Sequence, residues 1–517
     1  MSVRGVVQGF GRAVLAVLVV VALAAIYGLA NIGHLTAAAQ RRGPVGRVDI
    51  SSAVRVCTAP GSAEPTASSL AMTAIAASAT TGTAVVTPLV PAGSKSVPRV
   101  AATLHRPGLL QTATVPIAPP LTPAEQAGQP GSSSSVRTQP GRGGVLVQAS
   151  GALAQGLAVE QVGGDGLVTA QCGVPGTDFW FVGPGRMSGG GIDLYLSNAG
   201  SQPADAQVQV LVDGGSGPPA LGNADNGITV PPHGMVVQSL NGLLQGSGLM
   251  AIHVSATVGQ VFAEVRESKL AGQQGIWLPS VQAPARHLVI PGLPGTPGSR
   301  HLYIAVPNVG VAQVKITAVT KRGSYQPTGG TGIELVGGSV SDIPLPSLGG
   351  VAGAVSITSS VPVAAAMLVP GGPVGTPGAL AVSASPVQEQ AVFAANPAGP
   401  AGQTQLVLSA PGKAASVRIT TATSTRPATG HDGQVVKVAA KSSVVVPVRP
   451  PAGSGVSKFS FVVTPLAGSG PVYGGRIISA QGLVQSVLPA PSSLTWIPLP
   501  DVRESVGGIL SSGKQSG

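Results

Sequence analysis

The side chains that could do chemistry in this sequence are seven histidines, two cysteines and a small set of acidic residues. A transition-metal site needs imidazole or thiolate ligands at matched spacing, and no two histidines stand at helical metal-ligand spacing. The chain has no H-E-x-x-H motif, no C-x-x-C pair and no G-x-S-x-G nucleophile elbow. The sequence therefore predicts no metal site, no cofactor and no hydrolase nucleophile.

Paired carboxylates could support glycoside hydrolysis, which needs two acidic side chains at a controlled separation. Glu264 and Glu267 lie three residues apart on an expected strand, so their side chains point to opposite faces. The other acidic candidates are Asp165, Asp178, Asp193, Glu334 and Asp342. Most of these five lie in expected turns, where an aspartate caps backbone groups. We therefore expect a protein that is not an enzyme.

One local cluster combines an acid with consecutive aromatic residues: Asp178, Phe179, Trp180 and Phe181. Aromatic residues are scarce in this chain, at 3% of the sequence. Exposed, the four side chains would form a platform that binds a sugar or a protein partner. Buried, they would form a core platform in a protein otherwise short of large side chains. The sequence favours the core platform, and the exposed binding platform is the alternative.

Residues 13–30 form an apolar segment that contains no charged residue. Eighteen such residues just reach across the hydrocarbon core of a bilayer. Arg4 and Arg12 precede the segment, which predicts a cytoplasmic N-terminus at 1–12. The segment is either a transmembrane signal-anchor or a signal peptide cleaved near Ala39. Both alternatives make the membrane a partner of the chain and export the residues that follow, to the outer face of the membrane or into the medium.

The two cysteines are Cys57 and Cys172. An even number of cysteines in an exported chain predicts one disulfide bond, because exported proteins fold in an oxidising compartment. The alternative is a pair of buried free thiols.

The composition predicts an all-β fold. Gly (74 residues) and Pro (47 residues) are abundant, and both weaken helix interiors. Most of the hydrophobic residues are Val and Ala, and Val suits pleated, half-buried surfaces. The formal net charge is +11, but the basic residues are scattered and lack stacking aromatics beside them. We therefore expect no nucleic-acid partner.

A weak internal repeat indicates three modules. Its first part is a strand, a turn and a second strand, found at 192–212, 301–319 and 405–422. Its second part, again two strands, is found at 228–240, 333–345 and 436–448. Its third part, expected as a hairpin, is found at 250–265, 353–368 and 458–478. Three copies in one order, with period-2 alternation, predict tandem immunoglobulin-like antiparallel β-sandwiches; a single propeller or barrel is the less favoured alternative.

These signals divide the chain into consecutive segments. A strand carrying Cys57 is expected at 47–58, and an Ala/Ser/Pro/Gly-rich, partly disordered linker at 59–142. The three sandwich modules are expected at 143–280, 286–380 and 389–500, followed by a flexible tail at 501–517. The Pro-Gly segment 291–298 is expected to link the first and second modules.

Several of these blocks resemble an actinobacterial family of exported or membrane-anchored proteins, domain-of-unknown-function family 5719. The similar blocks are Cys57-Thr-Ala-Pro60, the stretch from Cys172 to Phe181, Tyr195-Leu-Ser-Asn198, Val230-Pro-Pro-His233 and the Trp-Leu-Pro at Trp277. The resemblance covers about residues 45–500 and is weakest in the third module. The family has no assigned activity, so the resemblance implies no catalytic residue.

The sequence thus predicts a non-catalytic cell-envelope protein that presents stacked β-sandwiches outside the membrane. A structural role or the binding of a cell-wall glycan or an envelope protein would fit this organisation. The alternative is an accessory subunit of a membrane glycosyltransferase or of a system that exports envelope polymers.

Overall fold

The fold is given by a computed structural model. It describes residues 17–25, 27, 47–57, 68–75, 81–91, 102–105, 110–117, 136–137, 144–162, 169–185, 191–214, 227–244, 248–267, 276–372, 378–399, 402–423 and 433–498.

The expected membrane segment, 13–30, is described only at 17–25 and 27, where the residues are helical and exposed. The rest of that segment lies outside the described residues, as do 1–12 and 501–517. Within the described part of the chain, no helix combines the length and apolar character needed to cross a membrane.

The other described elements are strands. The first eight are β1 (Arg47–Asp49), β2 (Ser52–Cys57), β3 (Ser68–Ile75), β4 (Gly82–Pro88), β5 (Val90–Pro91), β6 (Ala102–His105), β7 (Leu110–Ile117) and β8 (Val136–Arg137). The next eleven are β9 (Val145–Gly151), β10 (Ala158–Val162), β11 (Thr169–Gln171), β12 (Asp178–Pro184), β13 (Ile192–Ser197), β14 (Ala204–Val212), β15 (Ile228–Val230), β16 (Gly234–Ser239), β17 (Leu249–Val258), β18 (Phe262–Glu267) and β19 (Ile276–Leu278).

The strands that follow are β20 (Ala285–Leu293), β21 (Arg300–Val306), β22 (Val311–Thr320), β23 (Gly323–Tyr325), β24 (Ile333–Val336), β25 (Ser339–Leu345), β26 (Gly353–Val369) and β27 (Ala379–Val382). The last group is β28 (Ala391–Pro397), β29 (Gln403–Ala410), β30 (Ala415–Ala422), β31 (Gln434–Val438), β32 (Ser442–Val448), β33 (Lys458–Pro465), β34 (Tyr473–Ala480), β35 (Leu483–Pro489) and β36 (Trp496–Pro498).

Three modules, each a pair of antiparallel sheets around a buried core, repeat one strand order. In the first module (178–278) the sheets run β12-β17-β14-β15 and β19-β18-β13-β16. In the third module (391–489) they run β28-β33-β30-β31 and β35-β34-β29-β32. The second module (285–382) follows the same order, with β20-β26-β22-β24 and β27-β26-β21-β25. The nearly all-β prediction is therefore confirmed.

The second module departs from the expected hairpin at 353–368. There a single strand, β26, pairs with β20 and β22 through its first half and with β21 and β27 through its second half. The corresponding segments of the first and third modules contain Gly259 or Gly468, both at positive φ, where the chain reverses. The second copy has no glycine between Gly353 and its end, so the chain continues from one sheet into the other.

A further pair of antiparallel sheets precedes the three repeats and is called here the N-terminal module. Its sheets run β2-β9-β4-β6 and β11-β10-β3-β7, with a shared core of small and aliphatic side chains. Strands β3, β4, β6 and β7 lie within 59–142, where composition predicts a partly disordered linker. Within this region, Leu70, Met72, Ala84 and Val86 of β3 and β4 are buried in the core of the N-terminal module. Pairing also groups β9, β10 and β11 with these strands rather than with 178–280.

The four modules contact one another in a closed cycle. The first and second share one buried cluster that includes Trp180 and Tyr303. The second and third approach through Gly292 and Gly475, where a Cβ added to Gly475 would lie 2.4 Å from the Gly292 Cα. Gly292 belongs to β20, so the segment 291–298 lies inside the second module and does not link two modules.

The N-terminal module completes the cycle by contacting both the first and the third modules. Strands β5 and β8, which lie in the sequence between strands of the N-terminal module, pair with β16 of the first module. On the other side, β3 and β10 pack against β28 of the third module through a cluster of Ala, Val and Ile residues. Residues of the third module's end also bond to the N-terminal module, as in Gly156 N to Leu494 O at 2.9 Å.

Candidate functional site

The four residues predicted as a binding or core platform occupy strand β12, and its alternation separates them. Phe181 is fully buried in the core of the first module, and Trp180 is 7% exposed. Phe179 packs edge-on against Phe262, with ring centroids 6.0 Å apart. Asp178 alone among the four is exposed. The aromatic side chains therefore serve packing and do not form one exposed surface.

Asp178 forms a pair with a histidine of the neighbouring strand. His253 Nε2 lies 2.7 Å from Asp178 Oδ1, and the His253 ring stacks on Trp180 at 4.0 Å. A second pair, His301 and Asp342, lies on β21 and β25 at 2.8 Å. Within the described residues, no group of three or more His, Cys, Asp or Glu side chains is placed to hold a metal ion.

Cys57 and Cys172 form a disulfide bond, as predicted, with their Cα atoms 4.4 Å apart. Cys57 ends β2 at the edge of one sheet of the N-terminal module, and Cys172 follows β11 at the edge of the other. The bond thus joins the two sheets. Beside it, Val56 and Gly173 exchange two backbone hydrogen bonds of 2.8 and 3.0 Å.

Gly173 is required next to the disulfide because an aromatic ring lies directly against its backbone. A Cβ atom at this position would lie 2.0 Å from Cε2 of Phe262. Phe262 in turn contacts Phe179, so the disulfide is connected by packing to the predicted aromatic cluster. This contact fixes the N-terminal module against the first module.

A buried ion pair joins the N-terminal module to the third module. Arg476 Nη1 lies 2.9 Å from Glu160 Oε2, and the two side chains are 0% and 1% exposed. Strand β28 is irregular between Phe393 and Asn396. There Ala394 N donates to Glu160 Oε1 (2.9 Å), and Arg476 Nη1 donates to Ala395 O (2.7 Å). The pair therefore satisfies backbone groups that the irregularity leaves outside the ladder.

A cavity of about 280 Å³ lies where the N-terminal, first and third modules meet. We call it the junction cavity. Its polar lining includes Arg55, Glu160 and Gln171 from the N-terminal module, and Glu264 from the first. Its apolar lining includes Phe262, Trp277, Val392 and Leu488, and Cys172 of the disulfide also lines it. A concave site with apolar walls and a few polar groups is the usual form of a small-molecule site.

Arg55 supplies the junction cavity with a positive charge held in place by backbone carbonyls. Its Nη1 donates to Val54 O at 2.8 Å, and its Nη2 donates to Leu157 O at 2.7 Å. Burial lowers the pKa of Arg55 to about 10, which leaves the guanidinium protonated at neutral pH. Arg55 lies two residues before Cys57, on the same face of β2, so the disulfide helps to position it.

Two residues of the cavity wall, Trp277 and Glu264, adjoin further polar and aromatic side chains of the first module. Tyr195 and Trp277 pack edge to face at 5.3 Å, and the Arg266 guanidinium lies 5.4 Å over the Trp277 ring. Arg266 also hydrogen bonds to the side chain of Tyr195, whose pKa is raised mainly by burial. Glu264 is buried on the same face of β18 as Arg266. The first module thus brings the Trp277 ring and the Glu264 side chain to the cavity wall.

Reasoning from the sequence did not identify Arg55, Glu160, Trp277 or Arg476 as site residues. One signal was present: Arg55 stands between Val54 and Val56 in an apolar strand that ends at a predicted disulfide cysteine. A charged side chain in the middle of an apolar strand indicates that it has a specific partner or role. Glu160 and Arg476 carry no comparable signal, because each is the other's partner and they lie 316 residues apart in the sequence.

Comparison with known proteins gives a family. The model of a family of unknown function (DUF5719) matches residues 126–449, which is more than half of the chain. No curated protein matches the chain. The chain belongs to the DUF5719 family.

Proposed function

We propose that this member of the DUF5719 family is an exported, non-catalytic protein of the cell envelope. In this proposal, residues 13–30 hold it to the membrane or direct its secretion. Its N-terminal module closes three repeated modules, each an immunoglobulin-like β-sandwich, into one rigid scaffold. The scaffold holds a binding site for an envelope component outside the membrane.

The attachment of the N-terminal module to both the first and the third modules carries this proposal. The Glu160–Arg476 pair is buried, and removing one partner would leave an uncompensated buried charge. The parts of a chain that act as independent binding modules on flexible linkers need no such contact. A fixed arrangement of the modules suits a protein whose role is to keep its binding surfaces at constant positions relative to one another.

The disulfide supports export. Disulfides persist in extracytoplasmic compartments and are rare in the reducing cytosol. Cys57 and Cys172 are separated by 115 positions in the sequence. The loop that their bond closes contains most of the N-terminal module. The apolar segment at 13–30, preceded by Arg4 and Arg12, supports the same direction of transfer across the membrane.

The experiment that tests the proposal is a topology measurement on living cells. Protease added outside cells whose wall has been removed should degrade the residues after 48 and spare a cytosolic control protein. A chain that survives until the membrane is lysed would overturn the proposed location.

Two further readouts test the non-catalytic role. Isolation from solubilised membranes should yield no stoichiometric glycosyltransferase, whereas such a partner would favour the accessory-subunit alternative. Release of sugars from purified wall material by the chain, abolished by substitution of one carboxylate, would contradict the non-catalytic part of the proposal.

A further inference from the structure

We infer that the junction cavity binds a small organic anion, a carboxylate or a phosphate ester on a body no larger than one sugar ring, with its anionic group on Arg55. This inference rests on the proposed binding role and names the ligand class for that site. The geometry that supports it is a guanidinium whose charge no carboxylate neutralises, placed in the wall of a cavity with an aromatic surface.

The charge on Arg55 is not neutralised by the residues that the structure describes. Its two hydrogen bonds go to the carbonyl oxygens of Val54 and Leu157, and no described carboxylate lies within ion-pair distance of it. A guanidinium that is taken out of water without a counter-ion is costly. Carbonyl oxygens satisfy hydrogen bonds but carry no net charge. An anion entering the cavity would therefore gain a charge-assisted interaction with Arg55.

The two carboxylates of the cavity wall have basic partners or neighbours of their own. Glu160 is paired with Arg476 at 2.9 Å. Glu264 lies two residues from Arg266 on one face of β18. Glu160 is neutralised by its ion pair and Glu264 has a basic residue on the same strand face, so the remaining charged side chain of the cavity wall is Arg55. The site therefore favours an anion over a neutral or cationic ligand of the same size.

The walls and the volume limit the body of the ligand. A cavity of about 280 Å³ lies just below the usual range for small-molecule sites, which begins at about 300 Å³. Trp277 is half-buried in the wall and offers an apolar ring against which a compact body can pack. The hydroxyl groups of Ser280 and Ser492 lie at the exposed side of the cavity and can bond to polar groups of that body.

Calorimetric titration of the full-length chain, purified with its disulfide intact, tests this inference. The probes are glucuronate as a carboxylate, glucose 1-phosphate as a phosphate ester, and glucose as the neutral control. We expect saturable binding of at least one of the two anions and binding of glucose about tenfold weaker or more. The stronger of the two anions identifies the source of the anionic group.

Substitutions locate the binding. Arg55→Gln should weaken anion binding about tenfold or more, whereas Arg55→Lys should retain part of it because the charge remains. The matched control, Arg322→Gln, removes the same charge from an exposed turn and should bind like the unchanged protein. Because Arg55→Gln could also perturb folding, Ser492→Trp offers a second test. It blocks the exposed side of the cavity, leaves Arg55 in place and should also abolish binding.

Clear results would overturn the inference. These are the absence of saturable heat with every probe at millimolar concentration, equal binding of glucose and the anions, or full binding by both Arg55→Gln and Ser492→Trp. Each would leave the proposed exported role intact, because that role is judged by protease accessibility. Conversely, a cytosolic location would sink the proposed function even if the anion bound.

Discussion

Glu160 and Arg476, separated by 316 residues in the sequence, meet in a buried ion pair at the irregular stretch of β28. Arg476 Nη2 also donates to Thr169 Oγ1 at 2.9 Å, so the guanidinium contacts two strands of the N-terminal module. The Arg476 guanidinium lies 5.3 Å over the ring of Phe393 as well. The N-terminal and third modules are thus joined by one polar network in the midst of apolar packing.

Glu160→Gln should destabilise the protein by about 3–5 kcal/mol, because it leaves the positive charge of Arg476 buried without a partner. Denaturant unfolding measures this change in the free energy of unfolding. The matched control is Glu334→Gln, an exposed carboxylate on β24, which should change the free energy by less than about 0.5 kcal/mol. Equal stabilities of the two variants would show that the ion pair does not hold the modules together.

Cys57→Ser and Cys172→Ser should each lower the stability of the N-terminal module, and the double variant should be no worse than either. For a loop of this length, the entropy lost by the unfolded chain gives a disulfide stabilisation of at most about 4–5 kcal/mol. Hydrogen exchange should rise in β2, β3 and β10, while β29, an interior strand of the third module, keeps its protection. Unequal losses in the two single variants would mean that the cysteines act separately.

Gly173→Ala should destabilise the contact between the N-terminal and first modules by about 1–3 kcal/mol, because its Cβ would overlap the Phe262 ring. Gly242→Ala is the control, since a Cβ there meets nothing within 4 Å. Thermal unfolding compares the two. Combining Gly173→Ala with Phe262→Leu should restore part of the loss, and a further loss in the double variant would contradict the assigned clash.

Tyr303 should make the free energy of unfolding fall at alkaline pH. Burial, with a smaller contribution from Asp342, raises the pKa of Tyr303 above that of a free phenol, which is about 10. A raised pKa in the folded state stabilises the fold below the unfolded value, and this contribution is lost as the pH rises. Compared with Tyr303→Phe, the unchanged protein should therefore lose stability progressively as the pH rises above about 10. A constant difference between the two proteins would contradict this.

The repeat was predictable because its strands alternate clearly, and the disulfide because the chain has only two cysteines and its apolar N-terminal segment predicts export. The N-terminal module was hidden by its composition. Half of the residues in strands β3 and β7 are Ser, Ala or Thr, a composition that resembles a linker when the partner strand is unknown. The register that pairs Leu70 with Val115 becomes visible only in three dimensions.

The candidate site was less predictable for a related reason. The junction cavity takes residues from three modules, and nothing in the local sequence of Trp277 or Glu160 indicates that they face the same space. The aromatic cluster at β12 was visible in the sequence, yet the exposure of its members depends on the sheet that packs over them. Trp180 belongs to a buried cluster that includes residues of the second module, and no local sequence pattern indicates that contact.

The most direct test of the central claim, an exported scaffold closed by a disulfide-bonded N-terminal module, is peptide mass spectrometry of the unreduced chain isolated from cells. Free thiols are alkylated during lysis, so that only bonds present in the living cell are counted. We predict one cross-linked pair of peptides containing Cys57 and Cys172, in material accessible to protease from outside the membrane. Recovery of both cysteines as alkylated thiols in native protein would contradict the claim.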